Sequence, residues 1–570
     1  MTLRRLSVLV LGVVSFMAGT AAAQETPRAK RLATLKANLA SVRTFDEGLS
    51  ESDRRIFSSG AQNLFTLARR VVDLEGRFGE EGPKESALRA VQPEEVFGLG
   101  ASGTQVSNPA TDFVLSQTAG FTQSETSTAW CGNIVVVGYN DSGSLFETLV
   151  FGVGGLSFNG VARSIDRGRT FTDLRFLDPG PPTNFLGGDP VVACTSPTTF
   201  YYSSLLSQPT ASGISVSKSS NGGLTYGAPV AAALKAAPAH FLDKSWMAVD
   251  PTNANRLFVT YTDFDNSGTS AGCPGVGRVA IEIVRSVDGG ATWGAPQVID
   301  EVCRSAALSF PFVQGSQVAV GPDGEVYVVW ERYDDFNPAT FNDPLDREIR
   351  SSKSTDHGAT FAAFTKVADV FPSGDSFALR GGFRAFLDNQ GLAIDRSRTA
   401  SRGDVYVAFH DGGAVTTPDV GSDTGVYGFA DAMVSRSHDG GATWDPPVRV
   451  NDNVEAGLGT DQYQPGVAVD VGGRVASCFY DRRRDPANFT IDRFCAVSKD
   501  GGQTWSPNMR QTARSFAPIH ATDTLINPVY MGDYDTIASE FTLTLEGFVG
   551  AYSVIGPIAN PDVKVSRLRP

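Results

Sequence analysis

Charged side chains recur where β-patterned runs of the sequence end. Examples are Glu331 beside Arg332, Asp481 beside Arg482, and Arg384 just ahead of another run. Carboxylates can act as acid and base at a glycosidic bond. The planar fork of arginine can hold the carboxylate of a sugar. This mixture of residue types suits a glycan as the molecule acted upon.

The elements that must position these side chains are pairs of short strands. Runs over residues 317–320 and 325–330, and again over 466–470 and 474–480, alternate as strands do and are followed by long polar loops. Gly and Pro are abundant, at 60 and 31, which is typical of tight connections. We therefore predict an all-β fold with a repeated order of strand A, strand B, a variable loop, strand C and strand D.

An octapeptide follows strand C in six places, with the pattern S-x-[DN]-x-G-x-T-[WFY]. Its copies are spaced 55 to 83 residues apart. The pattern resembles the Asp box, or BNR repeat, of sialidase-like β-propellers, and the resemblance covers residues 105–570. The residues at its acidic position are Asp166, Asn221, Asp288, Asp356, Asp439 and Asp500.

The box is predicted to be a structural hairpin turn. An Asp or Asn oxygen accepts hydrogen bonds from turn N–H groups, and the shared Gly supplies a backbone with positive φ. The Thr hydroxyl can tie the returning strand, and the aromatic ring can bury beside the sheet. Because every copy repeats the same setting, we do not assign these acids to catalysis.

The number of blades is predicted from the strand pairs. Six repeats carry a box, and a seventh pair over residues 535–539 and 547–553 has none. Residues 112–116 are expected to supply strand D of this last blade, which would join the termini and remove an exposed edge. We predict seven blades, with six, as in the sialidases proper, as the alternative.

The resemblance implies where a site would lie. In a propeller the B–C loops and D–A connections surround one mouth of the channel, and the boxes lie on the opposite face. The D–A connections carry further polar residues, which are Asp189, Asp243, Lys244, Asp461, Asp533 and Tyr534. We expect acids, arginines and tyrosines to converge at this mouth.

The resemblance also implies roles. In sialidases three arginines grip the substrate carboxylate, a Tyr assisted by a Glu is the nucleophile, and an Asp is the acid/base. Topology assigns Arg332, Arg384 and Arg482 to the grip, Tyr534 and Glu331 to the nucleophile pair, and Asp481 to the acid. The family's Arg-Ile-Pro motif is absent. The alternative for residues 481–484 is an ion-pair network that braces the rim.

The first hundred residues differ from the repeats. Residues 1–23 have the Arg pair, short apolar core and Ala-x-Ala end of a signal peptide, and residues 24–104 read as a helical segment and linker. Ser50 and Asp53 form a capping-box pattern that opens a second helix, whose apolar face continues through Leu74. Export to the periplasm or the outside permits disulfides. Of fifteen pairings, the positions favour Cys478–Cys495, Cys273–Cys303 and Cys131–Cys194.

Composition excludes other partners. The net charge of −14 disfavours nucleic acid, and no segment after the leader is apolar enough to span a membrane. No metal site or cofactor is expected, with calcium bound by loop acids as the alternative. We predict an exported propeller that acts on glycans as a sialidase-type exo-glycosidase. The alternatives are a non-catalytic module that binds glycan or protein, and a different polysaccharide hydrolase or lyase.

Overall fold

In the computed structural model the described residues form seven blades around a channel, each with four antiparallel strands, and the sheet of blade 2 has two additional short strands. The strands A to D of the blades are as follows. Blade 1 consists of Gln123–Cys131, Ile134–Asp141, Asn159–Ser164 and Thr172–Phe176. Blade 2 consists of Val191–Ser196, Thr199–Gln208, Ala211–Ser219 and Val230–Ala236. Blade 3 consists of His240–Val249, Leu257–Asp265, Arg278–Ser286 and Gln297–Cys303. Blade 4 consists of Phe312–Val320, Val326–Tyr333, Arg347–Ser354 and Thr365–Asp369. Blade 5 consists of Asn389–Ile394, Val405–Pro418, Val426–Ser437 and Val448–Arg449. Blade 6 consists of Gln462–Val469, Val475–Asp481, Asp492–Ser498 and Met509–Arg510. Blade 7 consists of Ile537–Ser539, Phe548–Ile555 and Pro561–Leu568, with the N-terminal strand Thr104–Gln105 as its strand D.

The structure describes most of the chain after its leader. The described residues are 27–54, 56–78, 89–90, 103–107, 113–114, 122–151, 154–304, 311–333, 347–374, 378–380, 383–384, 389–418, 426–454, 459–518, 531–542, 545–555 and 561–569. The predicted signal peptide lies outside them. No described helix is long and apolar enough to cross a membrane.

The prediction of seven blades is confirmed, and an N-terminal strand closes the ring. The prediction that residues 112–116 form this strand is wrong. Thr104 and Gln105 pair with Val565 and Lys564, whereas Phe113–Val114 pairs with Arg89–Ala90. A strand of two residues is too short to show alternation, so the longer apolar run at 112–116 gave the stronger signal.

The N-terminal segment is helical and packs on the propeller. Its helices are α1 (Pro27–Glu47), α2 (Glu51–Arg54) and α3 (Ser59–Phe78). The capping box is confirmed, since Ser50 N donates to Asp53 Oδ2 at 2.9 Å and Asp53 N donates to Ser50 Oγ at 3.0 Å. The helix that it opens lasts one turn, and α3 begins separately, with Ala61 N donating to Ser58 Oγ at 3.0 Å.

One further helix and a few short strands complete the described elements. Helix α4 (Ser142–Phe151) occupies the B–C connection of blade 1. Leu156–Ser157 and Phe185–Leu186 extend the sheet of blade 2, and Ala378–Leu379 pairs with Phe383–Arg384. The apolar core lies between neighbouring blades and also joins the helices to blades 2, 3 and 4.

The Asp boxes have the predicted turn. In the third copy, Thr292 N donates to Asp288 Oδ1 at 2.9 Å, its hydroxyl donates to Oδ2 at 2.5 Å, and Gly290 N donates to Ser286 Oγ at 2.9 Å. Hydrogen bonds from Thr292 lower the pKa of Asp288 to about 2. The Thr therefore ties the turn to its own acid. The shared glycines have φ between 74° and 84°.

All three favoured disulfides are present. Cys131–Cys194 joins strands A of blades 1 and 2, Cys273–Cys303 holds the B–C loop of blade 3 to its strand D, and Cys478–Cys495 links paired strands of blade 6. The described residues contain no free cysteine. Three disulfides are consistent with an extracellular or periplasmic protein.

Candidate functional site at the channel mouth

A repeated bulge at the start of strand A positions the side chains of the channel mouth. The ladder register shifts at this point in five of the described sheets, including between Ser124 and Ser127 and between Asp243 and Trp246. The backbone φ is positive within these bulges, at 52° in Glu125 and 50° in Lys244, and it is also 52° in Asp189, just before strand A of blade 2. Bulges of this kind re-aim side chains out of the alternating pattern.

Six residues from different blades meet at this mouth, and we call them the mouth cluster. They are Glu125, Asp189, Asp243, Lys244, Arg384 and Asp533. Topology predicted this convergence for all of them except Glu125, which lies inside a polar stretch of strand A. Its signal was weak, because nothing in the sequence marks a bulge there.

Glu125 is the most perturbed acid of the mouth cluster. Its carboxyl is fully buried and accepts hydrogen bonds from Asn140 Nδ2 at 2.7 Å and from the Asp533 backbone N–H at 2.9 Å. Burial, followed by the charge of Asp189, raises its pKa well above the usual range. Burial thus favours the neutral form of the Glu125 carboxyl group, which lies beside Asp189 and Asp533.

Lys244 supplies a buried positive charge. It is 4% exposed, and among the described residues nothing accepts a hydrogen bond from its Nζ. This atom lies 3.8 Å from the centre of the Tyr534 ring, a cation–π contact. The Tyr534 hydroxyl in turn donates to Pro190 O at 2.8 Å. Lys244 is thus a desolvated ammonium facing the acids of the mouth.

The helical segment covers the mouth cluster through residues 56–60, which we call the cap loop. Ser58 donates to Asp243 from its backbone N–H at 2.8 Å and from its hydroxyl at 2.5 Å. Arg384 donates to Phe57 O, and a Cβ at Gly60 would collide with Asp189. The Phe57 ring lies 4.0 Å from that of Phe264. The cap loop is therefore fitted to the mouth.

Burial at the mouth shifts the pKa values of its charged groups. Burial, with the charge of Asp189, raises the pKa of Asp243 to about 7. Burial also raises the pKa of Asp189 and lowers that of Arg384. Gln314 joins the same network, donating to Ile56 O at 3.2 Å and to Asp243 at 2.9 Å.

The structure brings Tyr534 and Arg384 to the mouth but gives the other predicted site residues separate partners. Arg332 pairs with Asp300 at 2.9 Å. Glu331 is buried in strand B of blade 4 and accepts a hydrogen bond from Tyr333. Tyr534 lies in blade 7, so the predicted nucleophile pair is divided between blades on opposite sides of the channel.

Residues 481–484 form the ion-pair network that was the alternative for them. Asp481 pairs with Arg483 at 2.7 Å, and Arg483 also contacts Asp452. Arg482 is fully buried and donates to Arg380 O at 2.9 Å and Asn488 O at 3.0 Å. These contacts hold the rim of blade 6 together.

A second charged group lies in blade 3. His240, Asp263 and Asp265 offer metal-ligand atoms within 4.8 Å of one another. Lys235 Nζ already lies 2.7 Å from Asp263 Oδ2, and Arg278 lies 3.4 Å from Asp265 Oδ2. Because these cations balance the carboxylates, the group fits an ion-pair network better than a metal centre.

Comparisons with known proteins agree with the fold. The BNR/Asp-box repeat family matches residues 496–507, which include the sixth box. The fold is similar to a Hadza microbial sialidase, at 12% identity over 72% of this chain and 73% of that chain, with a TM-score of 0.39. It is also similar to a PL25 ulvan lyase, at 11% identity over 84% and 96% of the two chains (TM-score 0.43).

A third similar structure is the α-L-arabinanase of Penicillium chrysogenum, at 12% identity over 82% of this chain and 99% of that chain, with a TM-score of 0.38. Among curated protein sequences none matches this chain. Six repeats with the Asp-box hydrogen bonds, the family match and the closed ring of seven sheets identify the chain as a β-propeller of the BNR/Asp-box type.

Proposed function

We propose that the protein is an exported propeller that acts on glycans, with the mouth cluster as its acid–base site. The observation that carries this proposal is the fully buried Glu125 carboxyl group, whose pKa is raised, beside Asp189, Asp533 and Lys244, whose Nζ has no hydrogen-bond acceptor among the described residues. Two carboxyl groups in different protonation states are what glycosidic bond cleavage needs. Glu125 would protonate the leaving oxygen, and a neighbouring carboxylate would act as base or nucleophile.

The two cations of the mouth cluster could bind an acidic sugar. Lys244 and Arg384 both lie among the carboxylates, and a substrate carboxylate could replace one of these acids as their partner. The similar structures named above include a sialidase and an ulvan lyase. Both of those proteins act on glycans, as this protein is proposed to do.

Substrate access requires the cap loop to move. Ser58 and Phe57 bind Asp243 and Arg384 directly, so a glycan would have to displace these contacts. The cap loop would then act as a gate, and the intact chain would turn over substrate slowly.

A sialidase-type exo-glycosidase is the finer form of the proposal. Tyr534 and Arg384 at the mouth support it. The partners of Arg332, Arg482, Asp481 and Glu331 lie elsewhere, so a sialidase mechanism would need Glu125 in place of Glu331. The alternative is a non-catalytic module that binds glycan or protein, which the closed cap loop favours.

The test uses the mature protein with a panel of fluorogenic glycosides that includes a sialoside and a uronide. We expect Glu125→Gln to lower kcat by about 100-fold or more, the usual contribution of a general acid. Glu540→Gln is the matched control, because Glu540 is an equally buried acid that binds Gly132 N at 2.8 Å on the box face.

Four outcomes separate the possibilities. Turnover lost in Glu125→Gln but kept in Glu540→Gln supports the acid–base site. Turnover lost also in Tyr534→Phe supports the sialidase type. Wild-type turnover in Glu125→Gln would overturn the proposed site, and glycan binding without turnover by any variant would leave the module as the function.

A further inference from the structure

The channel contains a cavity below the mouth cluster. It has a volume of about 600 Å³ and is lined by strand A of all seven blades, from Ser127 in blade 1 to Ile537 in blade 7. Its lining continues to residues after strand A, including Arg396 and Phe541, on the face that carries the Asp boxes. The cavity is thus separate from the residues that the cap loop covers.

Arg396 is the unusual residue of this cavity. It follows strand A of blade 5, and its guanidinium carbon lies 4.9 Å from the centre of the Phe541 ring. The side chain is half-buried, and burial alone lowers its pKa. Among the described residues, no carboxylate or carbonyl oxygen pairs with this guanidinium.

The acids near Arg396 are already engaged. Asp395 accepts hydrogen bonds from Ser397 N at 2.7 Å and Ser401 Oγ at 2.7 Å. Asp250, which also lines the cavity, pairs with Arg256 at 2.6 Å. A guanidinium stays ionised in proteins, and its five N–H donors favour an oxygen acceptor. Its N–H groups are therefore able to bind an anion that enters the cavity from outside the chain.

The geometry points to a binding site in this cavity for a hydroxylated carboxylate of monosaccharide size. The planar fork of Arg396 matches a carboxylate, and Phe541 covers one face of the guanidinium while its N–H edge stays available. Polar side chains such as Gln317, Thr536 and Ser539 line the same space and can bind hydroxyl groups. The volume lies within the range of small-molecule sites.

This site does not depend on the proposed function. It uses residues at the opposite end of the channel from Glu125, and it requires binding without catalysis. Glu125→Gln should leave it unchanged, and loss of ligand at Arg396 should leave turnover at the mouth unchanged.

The test is isothermal titration calorimetry of the full mature chain with D-glucuronate. D-glucose, which lacks the carboxylate, is the uncharged control ligand. We expect glucuronate to bind and glucose to bind at least tenfold more weakly, as loss of one charge-assisted pair predicts. Arg396→Gln should weaken glucuronate binding at least tenfold by the same reasoning. Arg402→Gln is the control, because Arg402 pairs with Asp323 on the surface nearby.

Arg396→Lys keeps the charge without the fork and guards against misfolding of the Gln variant. We expect it to bind glucuronate more weakly than the wild type while keeping the melting temperature. Equal binding of glucuronate by wild type and either variant would overturn the site. So would equal binding of glucose, or binding of sulfate and phosphate without binding of glucuronate.

Discussion

Single residues at the channel mouth are tuned by burial and by one another. Glu125, Asp189 and Asp243 all have raised pKa values, because burial disfavours their charged forms and Lys244 with Arg384 offsets this only in part. Asp243 has a second task, since both hydrogen bonds from Ser58 end on its carboxyl group. Its protonation therefore affects the attachment of the cap loop.

The stability of the protein should depend on pH through Asp243. Its pKa is about 7 in the folded chain and about 3.9 when unfolded. The folded state then binds the extra proton, so this contribution is full below the unfolded value and is lost as the pH rises through 7. We expect the melting temperature to fall from pH 5 to pH 8, and Asp243→Asn to reduce this fall.

Calorimetry at several pH values checks this, with Asp141→Asn as the comparison. Asp141 is also buried, and its pKa is raised to about 6, but it caps α4 away from the cap loop, with Ser144 donating to it at 2.6 Å. Parallel pH profiles of the wild type and Asp243→Asn would contradict the assignment. His240, whose pKa is also raised by Asp263 against its burial, contributes equally to both proteins.

Part of the site could be read from the sequence. Asp189, Asp243, Lys244 and Asp533 all follow from the position of D–A connections in a repeat. Glu125 does not, because a left-handed bulge residue in a strand leaves no pattern. The partners of Arg332 and Glu331 were also hidden, since repeat topology fixes which strand a residue occupies but not which neighbour its side chain reaches.

At the scale of elements, the Asp boxes and the cap loop show two kinds of predictability. Each box fixes its own turn through residues within a span of seven positions, so pattern alone gave its structure. The cap loop depends on residues far apart in the chain, with Phe57 packing on Phe65, Phe241 and Phe264. The sequence predicted the helical character of that segment but not its contacts with the mouth.

The cap should be separable from the propeller by loosening this aromatic cluster. Phe57→Ala removes a fully buried ring, a change that costs roughly 3–5 kcal/mol in protein cores. We expect amide hydrogen exchange to rise by at least about 100-fold in α1 and α3 and to stay unchanged in the blade strands. Phe364→Ala is the control, because Phe364 is exposed on blade 4.

Faster turnover would link this loosening to function. If the cap loop gates the mouth cluster, Phe57→Ala should raise kcat/KM on any glycoside that the wild type cleaves, whereas Phe364→Ala should not. Uniformly faster exchange across all blades would contradict a separable cap, since it would mean that the cap and propeller unfold together.

At the scale of the whole molecule, the ring is joined at one seam, where residues 104–106 add to blade 7. Val106 is buried between blades 1 and 7 with Trp130, Val135 and Val563. Its backbone N–H donates to Val563 O at 3.0 Å. Blade 7 has its full four strands, and the two ends of the propeller are joined, only while this strand is in place.

The seam predicts a difference between two substitutions of Val106. Val106→Ala loses packing only, whereas Val106→Pro also removes the N–H that binds Val563 O. Calorimetry should show a melting temperature lower in Val106→Pro than in Val106→Ala by a few degrees, for a hydrogen bond of about 1 kcal/mol plus backbone misfit. Because opening the seam exposes blades 1 and 7 together, the transition should remain single. Equal melting temperatures would show that ring closure does not depend on this strand.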